Sequence, residues 1–257
     1  MRIATFNVNG IAARLPRLIE WLETARPDAV CLQEIKCTDD AFPAEPIRAL
    51  GYSVETVGQK SFNGVAILSL RPFTVTLRAL PGDAADEQAR YIEADFGAWH
   101  FGGLYLPNGN PQPGPKFDYK LAWMRRLIAR AAALLETEKP VVLAGDYNVC
   151  PTDEDVFSLS AMADDALVQP DTRAAFRQLC ALGLTDAIRA VEPIGRAYTF
   201  WDYQAGAWAK DNGLRIDHLL LSPQAADRLV AAGVDRKPRA AERPSDHTPV
   251  WVDLALD

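Results

Sequence analysis

Val141-Val142-Leu143-Ala144-Gly145-Asp146-Tyr147-Asn148 is the stretch on which the architecture turns. Four apolar residues between Pro140 and Gly145 are too few for a helix and read as a buried strand. A carboxylate follows at once. Its desolvation at the mouth of a buried strand is costly unless it meets a partner or a cation. The same pattern recurs along the chain. Arg2 to Val8 reads as a strand ending in Asn7, with Asn9 beyond it, and Asp28 to Gln33 is a buried strand leading into Glu34. Ile216 is followed by Asp217 inside a strand that runs to Leu221. Asp246-His247 immediately precedes a last strand in which Val250, Val252, Leu254 and Leu256 alternate. One such residue is an ordinary cap or turn. Five such places, all Asp, Glu, Asn or His, predict strand ends converging on one polar site.

The intervening sequence supplies the layers. Leu15, Leu18, Ile19 and Leu22 have helical spacing, and Pro27 stops that helix. Gly64 to Leu70 is a further strand, and Ala89–Phe96 with Trp99–Leu106 flank Gly97-Ala98 as a hairpin. Leu121, Met124, Leu127, Ile128, Ala131 and Leu135 mark a long amphipathic helix with Arg125, Arg126 and Arg130 on its other face. Thr172 to Leu182 is another helix. Some strands are joined by helices and others by hairpins. This predicts an α/β (α+β) fold with two sheets packed face to face and helices outside. No GxGxxG follows the first strand and no GxxxxGK[ST] occurs, which disfavours a nucleotide-binding sheet.

Bulk composition narrows the class. The chain has 257 residues, 49% of them apolar, which fits one domain over residues 1–257. No apolar run reaches about 18 residues, so no membrane span is expected. The N-terminus enters a strand pattern directly and lacks a signal-peptide profile, so a cytoplasmic protein is expected, with a monomer as the default. Cys31, Cys37, Cys150 and Cys180 show no CxxC spacing and only three histidines occur, so free thiols are expected rather than zinc. Oxygen-rich ligands suit Mg²⁺ or Mn²⁺ instead. A net charge of −7 argues against a nucleic-acid binder held by overall charge; any such contact needs a local basic groove and is strongly salt-dependent.

Several segments carry a specific resemblance. Leu32-Gln33-Glu34-Ile35-Lys36 resembles the LQE-x-K motif of the exonuclease III and abasic endonuclease family, and Gly145-Asp146-Tyr147-Asn148 its GDxN motif. Gly213-Leu214-Arg215-Ile216-Asp217 resembles its GLRID motif, and Arg243 to Val250 its closing RPSDHxPV. Asn63-Gly64-Val65-Ala66 and Tyr105-Leu106-Pro107-Asn108-Gly109 lie between them at the family's places, and the match runs from Arg2 to Leu256. The resemblance implies a four-layer α-β-β-α sandwich of two mixed β-sheets, deoxyribonuclease-I-like. It also implies a Mg²⁺-dependent DNA-repair nuclease that cuts at abasic sites, acts as a 3′-to-5′ exodeoxyribonuclease and trims damaged 3′ ends of double-stranded DNA, leaving a 3′ hydroxyl. Two other readings stand beside it: a superfamily hydrolase acting on a small phosphate ester or lipid, and a non-catalytic nucleic-acid-binding relative.

Residue roles follow from chemistry and from that resemblance together. Glu34 is the expected metal ligand. Asn7 would hold a metal-bound water or orient Glu34, and Asp246 would help hold a second ion or accept for the following turn. Asp217 and His247 form a carboxylate–histidine pair in which the carboxylate fixes the tautomer and raises the imidazole pKa. The imidazole then takes a proton from water or, if protonated, stabilises phosphate oxygens. Asp146 would orient or deprotonate the attacking water. Asn148, Tyr105 and Asn108 would touch the phosphate, Tyr105 serving the transition state or leaving group.

Phe200, Leu214 and Ile216, with Trp201 of the same aromatic segment, match a small apolar pocket for a base-free sugar. Lys36, Arg90, Lys116, Lys120 and Arg215 are expected phosphate contacts, although Arg90 follows Glu87-Gln88-Ala89 where the family has Glu-Gly. His100 and His218 are expected to be structural, His218 facing away from Asp217. The acidic stretch Thr152 to Gln169 is expected to overhang the site and to divide abasic-site incision from 3′ trimming.

Overall fold

The structure, a computed structural model, describes residues 1–256. Twelve strands run in chain order among the described residues: β1 (Arg2–Asn7), β2 (Ala29–Gln33), β3 (Ser53–Val57), β4 (Val65–Ser69), β5 (Thr74–Leu77), β6 (Tyr91–Asp95), β7 (His100–Tyr105), β8 (Val141–Asp146), β9 (Thr185–Asp186), β10 (Asp217–Leu221), β11 (Leu229–Val234) and β12 (Val250–Leu254). The helices are α1 (Ile11–Ala25), α2 (Ala44–Arg48), α3 (Pro115–Leu135), α4 (Pro170–Ala181), α5 (Ala187–Val191) and α6 (Pro223–Ala226).

The strands form two six-stranded sheets, ordered β11-β12-β1-β2-β4-β3 and β5-β6-β7-β8-β10-β9. Each has one parallel pair at its heart, β1 with β2 and β7 with β8, joined by α1 and α3 respectively. The remaining pairs are antiparallel. Central strands are covered on both faces, which is why VVLA shows no polar alternation. Val142 and Ala144 enter the core between the sheets, where they join Ile3, Cys31 and Ile67 of the opposite sheet. Val141 and Leu143 face outward, against Trp123, Met124 and Leu127 of α3. Likewise Ala4 and Phe6 meet Leu18, Trp21 and Leu22 of α1. Each such large side chain contributes roughly 1.5–3 kcal/mol when fully buried. The result is the expected sandwich of helix, sheet, sheet and helix.

This topology explains why polar strand ends meet. The parallel strands β1, β2, β7 and β8 present their C-terminal ends at one edge. Their antiparallel neighbours β10 and β12 present N-terminal ends there, and Asp217 pairs in register with Asp146. Close approach of β7 and β8 depends on Gly145, since a Cβ there would collide with the Leu104 carbonyl. Four strands, β3, β5, β9 and β11, are not legible in the sequence. All four are sheet-edge strands and only half-buried, so their apolar pattern is diluted.

Candidate active site

The loops leaving the strands are held in unusual backbone. Asn9, Glu34, Lys36, Asn63 and Asn148 all have positive φ, between 45° and 54°. Left-handed backbone is tolerated by Asn and costs more for Glu and Lys, so surrounding bonds must impose it. Gly10 N donates to the Glu34 carbonyl at 2.7 Å, and Ile35 N and Lys36 N donate to the carbonyls of Gly64 and Asn63.

Around that frame the polar side chains converge. Asn7 Nδ2 donates to Glu34 Oε1 at 2.8 Å and to Asp146 Oδ2 at 3.0 Å, so one amide braces two carboxylates. Asn7 thus turns an N–H to this cluster and braces the carboxylates, as in the second of the two roles expected of it. Lys36 Nζ lies 2.8 Å from Glu34 Oε2 and also donates to Asn9 Oδ1. Burial pushes the Glu34 carboxyl up, but hydrogen bonds from Lys36 and Asn7 outweigh it and hold Glu34 low and ionised.

His247 Nδ1 is 2.8 Å from Asp217 Oδ2, and its Nε2 is 3.7 Å from Asp146 Oδ2. Burial works against the imidazolium, yet Asp217 and Asp146 overcome it and raise His247 to about 10. Burial, with the charges of Asp217 and Glu34, lifts Asp146 to about 7 against the pull of His247. Asp146 Oδ1 accepts from Asn148 N at 2.9 Å. Asn148 Oδ1 accepts from Asn108 Nδ2 at 3.0 Å, while Asn148 Nδ2 donates to the Leu106 carbonyl. Tyr105 faces this cluster. Its burial and the charges of Glu34 and Asp146 push the phenol well above its ordinary value, so it stays a proton donor. Arg90 stacks 4.7 Å from the Tyr105 ring centroid and donates to the Tyr105 carbonyl.

Four carboxylates, those of Glu34, Asp146, Asp217 and Asp246, thus gather round two cations, Lys36 and His247. Ligand atoms of Glu34, Asp146 and His247 lie within 4.8 Å of one another. His247 is committed as a cation between two carboxylates, which leaves Glu34 and Asp146 as the oxygen donors that fit a hard divalent ion. Asp246 stands beside that group, its Oδ1 taking Asn9 Nδ2 at 3.0 Å.

A cavity of about 520 Å³ opens next to the cluster. Phe200, Leu214 and Ile216 line it beside His247, and the Phe200 ring lies 5.0 Å from the imidazole. Phe157, Met162 and Asp165 form the facing wall, so part of the acidic Thr152–Gln169 stretch does border the site. Asp155 of that stretch points away and is buried in an ion network with Arg215 and Arg189.

Three expected substrate contacts are corrected. Trp201 is 0% exposed, packed on Tyr198 and Trp208, and so lies away from the cavity that Phe200 lines. Arg215 lies between Leu214 and Ile216, which line the cavity, but does not itself reach it. Its side chain is fully buried, bonded to Asp155, Asp186 and His218. Lys120 is also fully buried and donates to the carbonyls of Asn148 and Asn108, at 2.6 and 2.9 Å. Burial draws its ammonium down to about 7, against the attraction of Asp146 and Asp165. Lys116 is exposed, and Lys36 and Arg90 are half-buried at the site.

His218 is buried against Val149 and Arg215, and burial pulls it to about 4, so it is neutral and structural as expected. His100 lies 3.8 Å from Asp95 at the far end of β7. The four cysteines are free.

Thr199 was missed in the sequence. Its Oγ1 donates to Asp217 Oδ2 at 2.6 Å and accepts from the backbone of Ile216 and Asp217, which aims the carboxylate at His247. Its only signal is a hydroxyl set between the aromatics Tyr198 and Phe200.

A two-sheet sandwich with carboxylates, amides and a carboxylate-bound imidazolium at its strand ends defines a class of hydrolytic α/β enzymes. The chain belongs to the Endonuclease/Exonuclease/phosphatase family, whose profile matches residues 4–247. Within it the chain is a hydrolase of the exonuclease III type. It is 34% identical to exodeoxyribonuclease III of Haemophilus influenzae, covering 99% of this chain and 100% of that one. It is 32% identical to the DNA repair nuclease APEX1 of Danio rerio, covering 100% of this chain and 83% of that one. Among solved structures, an AP endonuclease from Archaeoglobus fulgidus superimposes with a TM-score of 0.95 at 36% identity over 100% of both chains. A 3′ phosphatase from Neisseria, solved bound to a product DNA hairpin, gives the same three values.

Proposed function

We propose that this protein is a Mg²⁺-dependent DNA-repair nuclease that incises double-stranded DNA at abasic sites and removes damaged groups from 3′ ends. The observation that carries the reading is one juxtaposition. The carboxylate–imidazolium cluster lies directly against an apolar recess formed by Phe200, Leu214 and Ile216. A diester phosphate fits the first and a base-free sugar the second. The relatives named for AP endonuclease, exodeoxyribonuclease and 3′ phosphatase activity support the DNA substrate.

Glu34 would hold the divalent ion, with Asp146 beside it free for the attacking water, and Mn²⁺ fits the same oxygen donor. When bound, that ion supplies Lewis-acid neutralisation of the phosphate's negative charge. Asp146, buried beside Glu34 and His247 with Asn7 and Asn148 bonded to its oxygens, is placed to accept a proton from the attacking water. The water oxygen attacks phosphorus, and the bond from phosphorus to the 3′ oxygen breaks. His247, held cationic, stabilises the charge growing on the nonbridging oxygens, as do the amides of Asn148 and Asn108. Tyr105, a proton donor braced by Arg90, serves the departing oxygen, which leaves as a 3′ hydroxyl. Lys36, Arg90 and the exposed Lys116 supply local positive charge that a chain of net charge −7 lacks overall.

The enzyme acts as a single-domain monomer, a reading supported by one core shared between both sheets. No helix among the described residues is long and apolar enough to cross a membrane. Four free thiols suit a reducing, cytoplasmic setting.

Three labelled duplexes test the proposal: one with an abasic site, one with a 3′-phosphate and one with a recessed 3′ end. Each is incubated with Mg²⁺ and with chelator. Metal-dependent turnover of the first two is expected. Inertness toward all three, with turnover of a small phosphate ester, would move the chain to the other branch of its superfamily.

A further inference from the structure

We infer that Lys120 is a positioning residue whose buried ammonium clamps the loops after β7 and β8, fixing the amides of Asn108 and Asn148 where they meet the phosphate. The inference rests on the proposed reaction.

Lys120 lies in the first turns of α3, far from the bulk solvent its charge calls for. A buried ammonium is costly unless its donors are used. Among the described residues no carboxylate lies within ion-pair distance of it. It donates to the main-chain carbonyls of Asn148 at 2.6 Å and Asn108 at 2.9 Å. Those carbonyls belong to different loops. One follows Tyr105 and the other follows Asp146, so the ammonium ties two separately built halves of the site.

The geometry around it depends on that tie. Asn148 has φ 48°, a left-handed conformation that directs its carbonyl inward toward α3 and its side chain toward Asn108. The side chains then form a chain in which Asn108 Nδ2 donates to Asn148 Oδ1 and Asn148 Nδ2 to the Leu106 carbonyl. Gly109, at φ 93°, packs so closely that a Cβ there would overlap the Lys120 stem. The lysine thus touches backbone on both sides of the amide pair and lies behind it. A helix-interior role alone would need only the stem. The donated bonds to these two carbonyls point to the amides.

The test is steady-state incision of a duplex with one abasic site, in Mg²⁺, by Lys120→Met, Lys120→Arg and the wild type. Lys120→Met keeps the stem and removes the donors. Its kcat is expected to fall about 10²-fold with KM within about threefold, the scale of loss for a misplacement near 1 Å. Lys120→Arg, which keeps charge and donors, is expected to retain at least tenfold more kcat than Lys120→Met.

The decisive arm repeats Lys120→Met in an Asn108→Ala/Asn148→Ala background. There the further loss is expected to be under about threefold, because the groups it positions are gone. An equal loss in both backgrounds, or a kcat within threefold of wild type, overturns the inference. If Lys120→Met does not fold, the same cycle is run with Lys120→Arg, whose smaller loss is likewise expected to vanish without the two amides; equal losses again overturn it. Absence of turnover by the wild-type protein would overturn the proposed reaction and this inference with it.

Discussion

His247 donates through Nδ1 to Asp217 at 2.8 Å, and that bond sets the charge state of the site. Asp217 is itself aimed by Thr199, and the imidazole is sealed under Phe200. The carboxylate keeps the ring protonated up to about pH 10, far above its ordinary range.

The first prediction concerns this pair. Asp217→Asn keeps the shape and removes the charge, so kcat is expected to fall by about 10²–10⁴-fold. The sign of the pH effect is fixed. Wild-type activity that needs imidazolium persists to alkaline pH and falls as His247 deprotonates. Removing Asp217 lowers that pKa, so the alkaline limb of the kcat profile moves to lower pH. An unmoved limb in Asp217→Asn would show that another group sets it.

The second concerns cation binding without turnover. Four carboxylates round two cations make the site short of positive charge, and Mg²⁺ or Mn²⁺ is expected to raise the melting temperature. At a hundredfold excess over Kd the gain is about 2.7 kcal/mol. Glu34→Ala is expected to lose most of that stabilisation. Thermal melting against metal concentration reads it directly, and an undiminished metal response in Glu34→Ala would contradict the ligand assignment.

The third separates substrates. Phe200 closes the apolar recess beside His247. Phe200→Ala is expected to lower abasic-site incision on the order of tenfold or more, the usual scale for lost apolar pocket contacts. Removal of a 3′-phosphate, which needs no sugar in the recess, is expected to change less than about threefold. Parallel kcat/KM measurements on the two duplexes decide it; equal losses would remove Phe200 from substrate selection.

The fourth is a stability prediction. Asp155 is fully buried; burial alone would raise its pKa, but Arg215 outweighs this and holds the carboxyl well below the usual carboxylate range. A depressed folded-state pKa gives stability that is complete above the unfolded value near 4 and is lost as pH falls below it. Asp155→Asn leaves Arg215 with Asp186 and is expected to cost about 3 kcal/mol at pH 7. The difference between variant and wild type in urea unfolding should shrink on acidification below about pH 4. A constant difference would show that the ion pair is not its source.

The sequence made the chemistry more legible than the surroundings. Asn7, Glu34, Asp146, Asp217 and His247 each follow or precede a run of apolar residues, a contrast strong enough to read. Their meeting in space follows from strand direction. Trp201, Lys120 and Arg215 were misplaced because a residue's type says nothing of which way the backbone turns it. Each sits one residue from a cavity-facing position or on the inner face of α3. Thr199 went unread because a lone hydroxyl among aromatics carries no pattern. The edge strands β3, β5, β9 and β11 are half-exposed and so lack a clean alternation.

The proposed chemistry is metal-assisted hydrolysis at an abasic site by the Glu34–Asp146–His247 cluster. Single-turnover incision of a duplex with one abasic site, followed in Mg²⁺ for wild type, Glu34→Ala and His247→Ala, tests it most directly. A 3′-hydroxyl product is expected, with losses of about 10³-fold or more in both variants, whose folds are checked by melting. Near-wild-type incision by folded His247→Ala, or wild-type incision that survives chelation, would contradict it.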